Sequence, residues 1–336
     1  MSGVNQIMKN NSLREIAQKI REAKSILLFP HVNLDGDALG SCVALCKALR
    51  SLKKEAWILL EDDIPANLRF LDKGYCTWEK EKVLHPDICM CVDCGSEDRF
   101  EKRAEVFHSA DTTICVDHHR TTGSQWDYNY IDPEEAATGQ IIFELLKELE
   151  IAPDREIGEA IFSAITTDTG NYQYSNTQAK SHLITAELYK WGVDCNRVSV
   201  EIYENVRVEK LAMKAKAMET LRLIAGGRGA IVCVTQKMLE STGALMEEAE
   251  GLSQDLRSIA GVEYAAVVKE YEKEKIRVSL RAKTKGDVAE IASRLGGGGH
   301  TKAAGCTIYK PIEEAAKMVE NEMLRSIGKL NDYDHD

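Results

Sequence analysis

The sequence lacks a long hydrophobic run, and its first residues lack the pattern of a secretory signal. No apolar stretch approaches the roughly 20 residues that a membrane-spanning helix needs. The amino-terminal residues also do not place a charged segment before an apolar one, as signal peptides do. These absences exclude the membrane-spanning class and predict a cytoplasmic protein that does not act on membranes.

The sequence also lacks an excess of positive charge. Its 43 lysines and arginines stand against 54 aspartates and glutamates, a net charge of −11. Because proteins that track along long nucleic acids gain most of their affinity from basic side chains that neutralise phosphates, this balance argues against such a partner. A small phosphorylated substrate remains compatible, since bound metal ions and a few arginines supply positive potential locally.

Ten cysteines are present, but the pairs that a thiolate zinc site needs are missing. Cys89, Cys91 and Cys94 lie close in sequence, and no second ligand pair at comparable spacing follows them. Strand alternation would place Cys89 and Cys91 on the same face. Zinc binding is therefore the weaker interpretation, and reduced thiols that pack as small hydrophobic groups are the simpler one.

At 336 residues with 44% hydrophobic side chains, the chain is long enough for two domains. The first half alternates apolar strand-like runs with helical stripes, which is typical of a parallel sheet. We predict an α/β protein with an amino-terminal parallel-sheet domain at residues 1–195 and a helical linker at 196–226. A smaller carboxy-terminal α/β domain follows at 227–330.

The most informative stretch covers residues 31–40 and reads His-Val-Asn-Leu-Asp-Gly-Asp-Ala-Leu-Gly. Pro30 favours an extended conformation in the preceding apolar run, so a strand should end where His31 begins. Gly36 lets the backbone turn sharply between Asp35 and Asp37. One imidazole and two carboxylates at a strand end suit a divalent metal; an Asx-rich turn that caps a helix is the structural alternative.

Later strand-like and helical segments end in the same kinds of side chain. Because the carboxyl ends of parallel strands share one edge of a sheet, these side chains should meet in one site. Four clustered aspartates would raise one another's pKa values, whereas two divalent cations would balance their charge. A two-metal site can hold a bridging hydroxide as nucleophile and clamp a phosphoryl group. The candidates are His31, Asp35, Asp37, Asp93, Asp117, His118, His119 and Asp168.

In this order the motifs resemble those of the DHH phosphoesterases, a family named for a run such as Asp117-His118-His119. The carboxy-terminal half adds Gly297-Gly298-Gly299-His300 followed by Ala303-Ala304-Gly305, which resembles the associated DHHA1 substrate domain. The resemblance spans nearly the whole chain. It implies an active-site cleft between the two domains.

The resemblance also implies a role for each candidate. Two divalent ions, most commonly manganese in this family, would be held by His31 and Asp35, by Asp37 and His118, and by a bridging Asp93, with Asp168 completing the shell. His119 would face the scissile phosphate as a catalytic residue. Asp117 would take part in catalysis or orient a ligating imidazole.

Substrate-binding roles are expected in the second domain. The glycines at 297–299 would let a phosphate or base approach the backbone closely, with His300 as a donor and Arg281 as a phosphate partner. Arg257 and Arg120 are further candidates. The structural alternative for the glycine run is a flexible loop before a helix.

Among members of the family, the chain resembles the compact stand-alone type, the bacterial nanoRNases and pAp phosphatases. This resemblance implies hydrolysis of short oligoribonucleotides and linear dinucleotides such as pApA and pGpG to mononucleotides, and of pAp to AMP. A stand-alone cyclic di-AMP phosphodiesterase is the alternative, followed by a non-catalytic nucleotide sensor. A homodimer is left open.

Overall fold

The computed structural model describes residues 10–333, so the first residues, on which the prediction about a signal sequence depends, lie outside it. The chain divides into two compact units between Asn205 and Val206. Among the described residues, no helix combines the length and the apolar character that crossing a membrane requires.

The first unit contains a six-stranded sheet and seven α-helices within the described residues. Its strands are β1 (Ser25–Phe29), β2 (Glu55–Leu59), β3 (Cys76–Thr77), β4 (Ile88–Val92), β5 (Thr112–Asp117) and β6 (Tyr128–Ile131). Its helices are α1 (Leu13–Glu22), α2 (Gly36–Ser51), α3 (Ala104–Phe107), α4 (Thr138–Glu148), α5 (Arg155–Asp168), α6 (Ala179–Lys190) and α7 (Cys195–Ser199). Short 3₁₀ helices cover Ala66–Leu71 and Glu97–Arg103, and a π-helical turn covers Val200–Glu204.

All strands of this sheet run parallel, in the order β3-β2-β1-β4-β5-β6. The order reverses between β1 and β4, because the chain adds strands first on one side of β1 and then on the other. In open parallel sheets, ligands bind outside the carboxyl ends of the strands at such a reversal. This topology confirms the predicted parallel α/β fold.

The sheet is buried on both faces by separate apolar clusters. Leu28 and Met90 face the larger cluster, with α1, α2, α4 and α5. Alternate residues of the same strands face the other cluster, where Cys89 and Cys91 pack with Phe29 and its aromatic neighbours. Cys89 and Cys91 thus share a face, and every cysteine is a free thiol.

The outer edge of β6 is paired with the segment that precedes α1. The backbone N–H of Asn11 donates to the carbonyl of Asn129 at 2.7 Å, and the Asn11 side chain accepts from the N–H of Asn129 at 3.0 Å. The side-chain amide of Asn10 donates to the carbonyl of Ile131 at 2.7 Å and accepts from its N–H at 3.0 Å. These asparagines satisfy backbone groups that an edge strand otherwise leaves open.

The second unit is also an α/β unit with six strands. The strands are β7 (Arg222–Ile224), β8 (Gly229–Val234), β9 (Tyr264–Glu272), β10 (Lys275–Ala282), β11 (Gly298–His300) and β12 (Ala303–Ile308). The helices are α8 (Val208–Glu219), α9 (Gln236–Thr242), α10 (Leu252–Ser258), α11 (Val288–Arg294) and α12 (Ile312–Tyr333), with 3₁₀ turns at Ala225–Gly227 and Met246–Ala249.

Its sheet has the order β11-β12-β10-β9-β8-β7 and is antiparallel except between β8 and β9. One face packs on α11 and α12 and the other on α8 and α10. Residues 196–226, for which a helical linker is predicted, contain most of α7, the π-helical turn, α8 and β7.

Candidate metal centre

The loop after β1 carries the first two candidate ligands. The Nδ1 of His31 lies 2.8 Å from the carbonyl oxygen of Val32. This hydrogen bond leaves Nε2 as the metal-binding nitrogen, as is usual for ligating histidines, and Nε2 lies 3.3 Å from Oδ2 of Asp35. Asp35 is the N-cap of α2, where its Oδ1 accepts from the N–H of Ala38 at 3.0 Å, so Oδ2 remains available to a cation.

Asp93 follows β4 and lies at the centre of the site. Its backbone has the left-handed φ of 57°, and its N–H donates to the carbonyl of Val116 at 3.0 Å. Its Oδ2 lies 3.6 Å from Nε2 of His31, while its Oδ1 lies 3.6 Å from Nε2 of His118. The two oxygens of this buried carboxylate thus face different imidazoles, which is the arrangement that a bridging ligand requires.

Asp37 is held at the amino terminus of α4. Its carboxylate accepts from the backbone N–H groups of Thr138 at 2.7 Å and Gly139 at 2.9 Å, and from the Ser41 hydroxyl at 3.0 Å. Free N–H groups at a helix start favour a negative charge. The Thr138 hydroxyl also donates to Oδ1 of Asp93 at 2.8 Å, so one residue orients two candidate ligands.

His118 brings Asp37 and Asp168 together. Its Nε2 lies 3.7 Å from Oδ2 of Asp37 and 3.5 Å from Oδ2 of Asp168, the last residue of α5. Its Nδ1 lies 3.1 Å from the carbonyl of Glu135. As in His31, this backbone contact directs Nε2 toward the carboxylates.

Within the described residues, three sets of potential ligand atoms lie within 4.8 Å of one another: His31, Asp35 and Asp93; Asp37, His118 and Asp168; Asp93, His118 and His119. Burial and the neighbouring carboxylates Asp93 and Asp168 raise the pKa of Asp37 well above its usual range. Burial is also the main cause that raises the pKa of Asp168 to about 7. Mixed carboxylate and imidazole ligands with uncompensated negative charge fit divalent cations.

Asp117 belongs to none of these sets and instead holds His119. Its Oδ1 accepts from Nδ1 of His119 at 2.8 Å and from the backbone N–H of His118 at 2.7 Å, and its Oδ2 accepts from the hydroxyl of Thr122. The hydrogen bond to Asp117 raises the pKa of His119 to about 9, although burial opposes the rise. Bound cations would lower this value again, since like charges disfavour protonation. The His119 side chain is 43% exposed, in contrast to the other imidazoles.

Arg120 follows His119 in sequence and pairs with a carboxylate at the surface. Its guanidinium forms an ion pair with Glu134 at 3.0 Å, and both side chains are exposed. Such surface pairs contribute little to stability, so this arginine can exchange Glu134 for another anion.

The other predicted substrate residues lie in the second unit. Arg281 and His300 both pair in register with Ala303, from β10 and β11 on either side of β12. Register partners in a sheet share a face, so these two side chains lie on the same face of the second sheet. Arg257 lies in α10.

The glycine run of 297–299 is not a flexible loop, because Gly298 and Gly299 belong to β11. A Cβ at Gly297 would lie 2.2 Å from the carbonyl oxygen of Gly305, and one at Gly299, whose φ is 139°, would lie 2.5 Å from the Cα of Ala304. Close packing against β12 therefore explains these two glycines. Only the Cβ position of Gly298 is open to an approaching ligand.

Sequence reasoning missed Thr138, Gly139 and Thr122, which orient the carboxylates. A Thr-Gly pair at the start of a predicted helix is a signal for an anion at a helix amino terminus. The pair does not reveal that the anion is Asp37, about a hundred residues earlier in the chain.

Comparison with known proteins gives matches along most of the chain. The DHH family, N-terminal domain, matches residues 25–166, and the DHHA1 domain matches residues 226–325. The bifunctional oligoribonuclease and PAP phosphatase NrnA of Thermus thermophilus is 28% identical over 321 residues, which cover 94% of this chain and 95% of that protein.

Two solved structures share the fold. An exopolyphosphatase-related protein from Bacteroides fragilis matches with a TM-score of 0.88 at 21% identity, covering 96% of this chain and 98% of that chain. RecJ from Thermus thermophilus, in complex with Mn²⁺, matches with a TM-score of 0.53 at 14% identity, covering 94% of this chain and 54% of that chain.

Proposed function

The chain belongs to the DHH family of phosphoesterases and carries the associated DHHA1 domain, and from this premise we propose that it is a metal-dependent hydrolase of short oligoribonucleotides. The proposed substrates are linear dinucleotides such as pApA and pGpG, which would yield mononucleotides, and pAp, which would yield AMP. The similarity to an oligoribonuclease and PAP phosphatase over nearly the full length of both chains supports this substrate class.

The observation that carries the proposal is the position of Asp93 between two sets of ligand atoms. His31, Asp35 and Asp93 would hold one divalent ion, and Asp37, His118 and Asp168 the other, with Asp93 contributing an oxygen to each. When bound, two such ions would supply Lewis-acid stabilisation of the phosphoryl oxygens and activate water for attack. Manganese suits this mixture of imidazole and carboxylate ligands.

We assign the proton chemistry to His119. Because Asp117 accepts the Nδ1 hydrogen, the ring is fixed with Nε2 as its second polar atom, and the carboxylate of Asp117 stabilises the ring in its protonated form. A proton held at Nε2 can be donated to a phosphoryl or leaving-group oxygen, which then departs without a full negative charge. Asp117 is buried, and its carboxylate accepts four hydrogen bonds. It would therefore act through His119 rather than on the substrate.

Arg281, His300 and the open backbone at Gly298 would bind the remainder of the substrate, with Arg257 and Arg120 as further phosphate partners. Guanidinium groups and an imidazole donor on the second unit suit phosphates that the metal ions do not reach.

The free thiols of the ten cysteines support a cytoplasmic location, since reducing compartments preserve them.

A substrate panel tests the proposal directly. Purified protein with Mn²⁺ is incubated with pAp, pApA, pGpG, a five-nucleotide RNA, a longer RNA and cyclic di-AMP, and the products are separated by chromatography. We expect turnover of pAp, the dinucleotides and the five-nucleotide RNA, and loss of activity when a chelator removes the metal.

The outcomes separate the alternatives. Hydrolysis of cyclic di-AMP without hydrolysis of the linear substrates would replace this proposal with a cyclic dinucleotide phosphodiesterase. Nucleotide binding without any turnover in Mn²⁺ would indicate a sensor on the same fold.

A further inference from the structure

Trp78 differs from the other three tryptophans because its ring has no stacking partner. It is 49% exposed, and no aromatic ring or cation from residues 10–329 lies over it. The others are covered or buried: Trp57 lies under the Arg50 guanidinium, Trp191 stacks on Phe143, and Trp126 lies in the core.

The exposed ring is nevertheless fixed in orientation. Trp78 follows directly after β3, and its Nε1 donates to the carbonyl oxygen of Asp62 at 3.1 Å. An indole with its polar edge already bonded keeps only its flat apolar face for a ligand. The ring therefore forms a rigid platform, which a ligand can cover without a large loss of side-chain entropy.

The platform forms one side of an open surface cavity of about 350 Å³, whose other lining residues are Asp63, Ile64, Arg69 and Asp72. This volume lies in the range of small-ligand sites. Arg69 uses Nε to donate to the carbonyl of Ile64 at 3.2 Å, and its guanidinium offers further donors. Asp63 offers a carboxylate acceptor, and Asp72 offers its Oδ2, since its Oδ1 already accepts from the backbone N–H groups of the turn before β3.

This lining favours a flat neutral ring with polar edges. Two carboxylates against one guanidinium disfavour a phosphate in the cavity. A nucleobase has a face that stacks on indole, amino and ring N–H groups that a carboxylate accepts, and ring acceptors for a guanidinium.

Trp78 follows the carboxyl end of β3, at the edge of the sheet where the candidate metal ligands also lie. β3 is two strands from β1, about 10 Å at the spacing of neighbouring strands. Asp62, which holds the indole, also accepts the backbone N–H of Asn33 at 2.8 Å, and Asn33 lies in the loop between His31 and Asp35. The base site and the metal-binding loop are thus tied through one aspartate.

We propose that the cavity at Trp78 binds a nucleobase of the substrate by stacking, with the attached phosphate directed toward the metal centre. This inference rests on the proposed function for the identity of the substrate. It adds a base-binding site in the first unit to the substrate residues Arg281 and His300 proposed in the second unit.

Intrinsic fluorescence tests base binding without hydrolysis. The protein is titrated in Mg²⁺ with AMP and, as a ligand without a base, with ribose 5-phosphate. We expect AMP, but not ribose 5-phosphate, to quench the fluorescence of Trp78. The Trp78→Phe variant, which lacks this emission, should therefore show no quenching by AMP. A Trp57→Phe variant should retain the quenching, because that ring is already covered by Arg50. Equal signals from both ligands, or no signal from AMP, would overturn the proposal.

Kinetics with pApA give the second measurement. Trp78→Ala should raise KM about tenfold, the size of one base–aromatic stack, and leave kcat within about twofold. The KM of Trp78→Phe should lie between those of the unaltered protein and Trp78→Ala. Tyr309→Ala, which removes an exposed ring from the second unit, serves as the control and should leave KM unchanged.

An unchanged KM in Trp78→Ala would refute the site even if pApA is a good substrate. If pApA is not hydrolysed at all, the proposed function fails, and the AMP titration still decides the role of Trp78.

Discussion

At the scale of single residues, Asp93 differs from the other candidate ligands because its oxygens face two imidazoles. We expect Asp93→Asn to weaken binding of both metal ions, since the neutral amide lacks the charge that both need. Asp168→Asn should weaken only one, because Asp168 contacts His118 and belongs to a single ligand set. Elemental analysis after dialysis against Mn²⁺ measures the number of ions per chain.

Circular dichroism serves as the folding control for both variants. A variant Asp93→Asn that is folded and retains two ions per chain would show that Asp93 is not a bridging ligand.

The neighbouring histidines should separate metal binding from proton transfer. His118→Asn should lower the metal content, because Nε2 of His118 faces three carboxylates. His119→Asn should keep metal content close to that of the unaltered protein and lower kcat about 100-fold or more, the scale of losing a proton donor at the reacting centre. The measurements are elemental analysis and steady-state kinetics with pAp. Equal metal loss in the two variants would contradict this division of roles.

The sequence was sufficient to predict the candidate ligands, but it was not sufficient to predict the residues that orient them. His31, Asp93 and His118 carry distinctive chemistry at predicted strand ends, so a local pattern finds them. Thr138 is an ordinary residue at a helix start, and its contacts with Asp37 and Asp93 join segments 101 and 45 residues apart. Such contacts depend on how α4 packs beside α2, which no local pattern encodes.

At the scale of elements, β11 offers a matched pair of substitutions. Gly299→Ala should lower the free energy of unfolding of the second unit by about 1–3 kcal/mol, because the positive φ and the contact with Ala304 leave no room for a methyl group. Gly298→Ala meets no atom within 4 Å and should change stability by less than about 0.5 kcal/mol. If substrate approaches this backbone, Gly298→Ala should raise KM for pAp.

Chemical denaturation and steady-state kinetics distinguish the two effects. A Gly298→Ala variant with unchanged KM would remove the glycine run from the substrate site and leave packing on β12 as its whole explanation.

The two sheets also differ in how far their patterns could be predicted. In the first, α2 joins β1 to β2 through short links, and this strand-helix-strand order is typical of parallel neighbours. In the second, β9 and β10 form a hairpin while β8 and β9 run parallel. The same alternating pattern is compatible with several such orders, so the strand order was not predictable.

At the scale of the whole molecule, all members of the ligand sets lie before Asn205, together with two apolar clusters of their own. We expect the fragment of residues 1–205 to fold and to bind two Mn²⁺ ions per chain. The fragment of residues 206–336 should fold on its own two clusters and bind none.

Circular dichroism and elemental analysis of both fragments check this expectation. A folded fragment 1–205 that binds fewer than two ions would mean that the metal centre needs a residue from the second unit.

The asparagines that pair with β6 affect whether copies of the protein aggregate at high concentration. An open edge strand is a template on which another chain can extend the sheet, and it is a common start of aggregation. Asn10 and Asn11 occupy those hydrogen-bonding positions, while the opposite edge, β3, is only two residues long. Both edges of the first sheet are thereby poor templates for strand addition, which lowers the tendency of the protein to aggregate at high concentration.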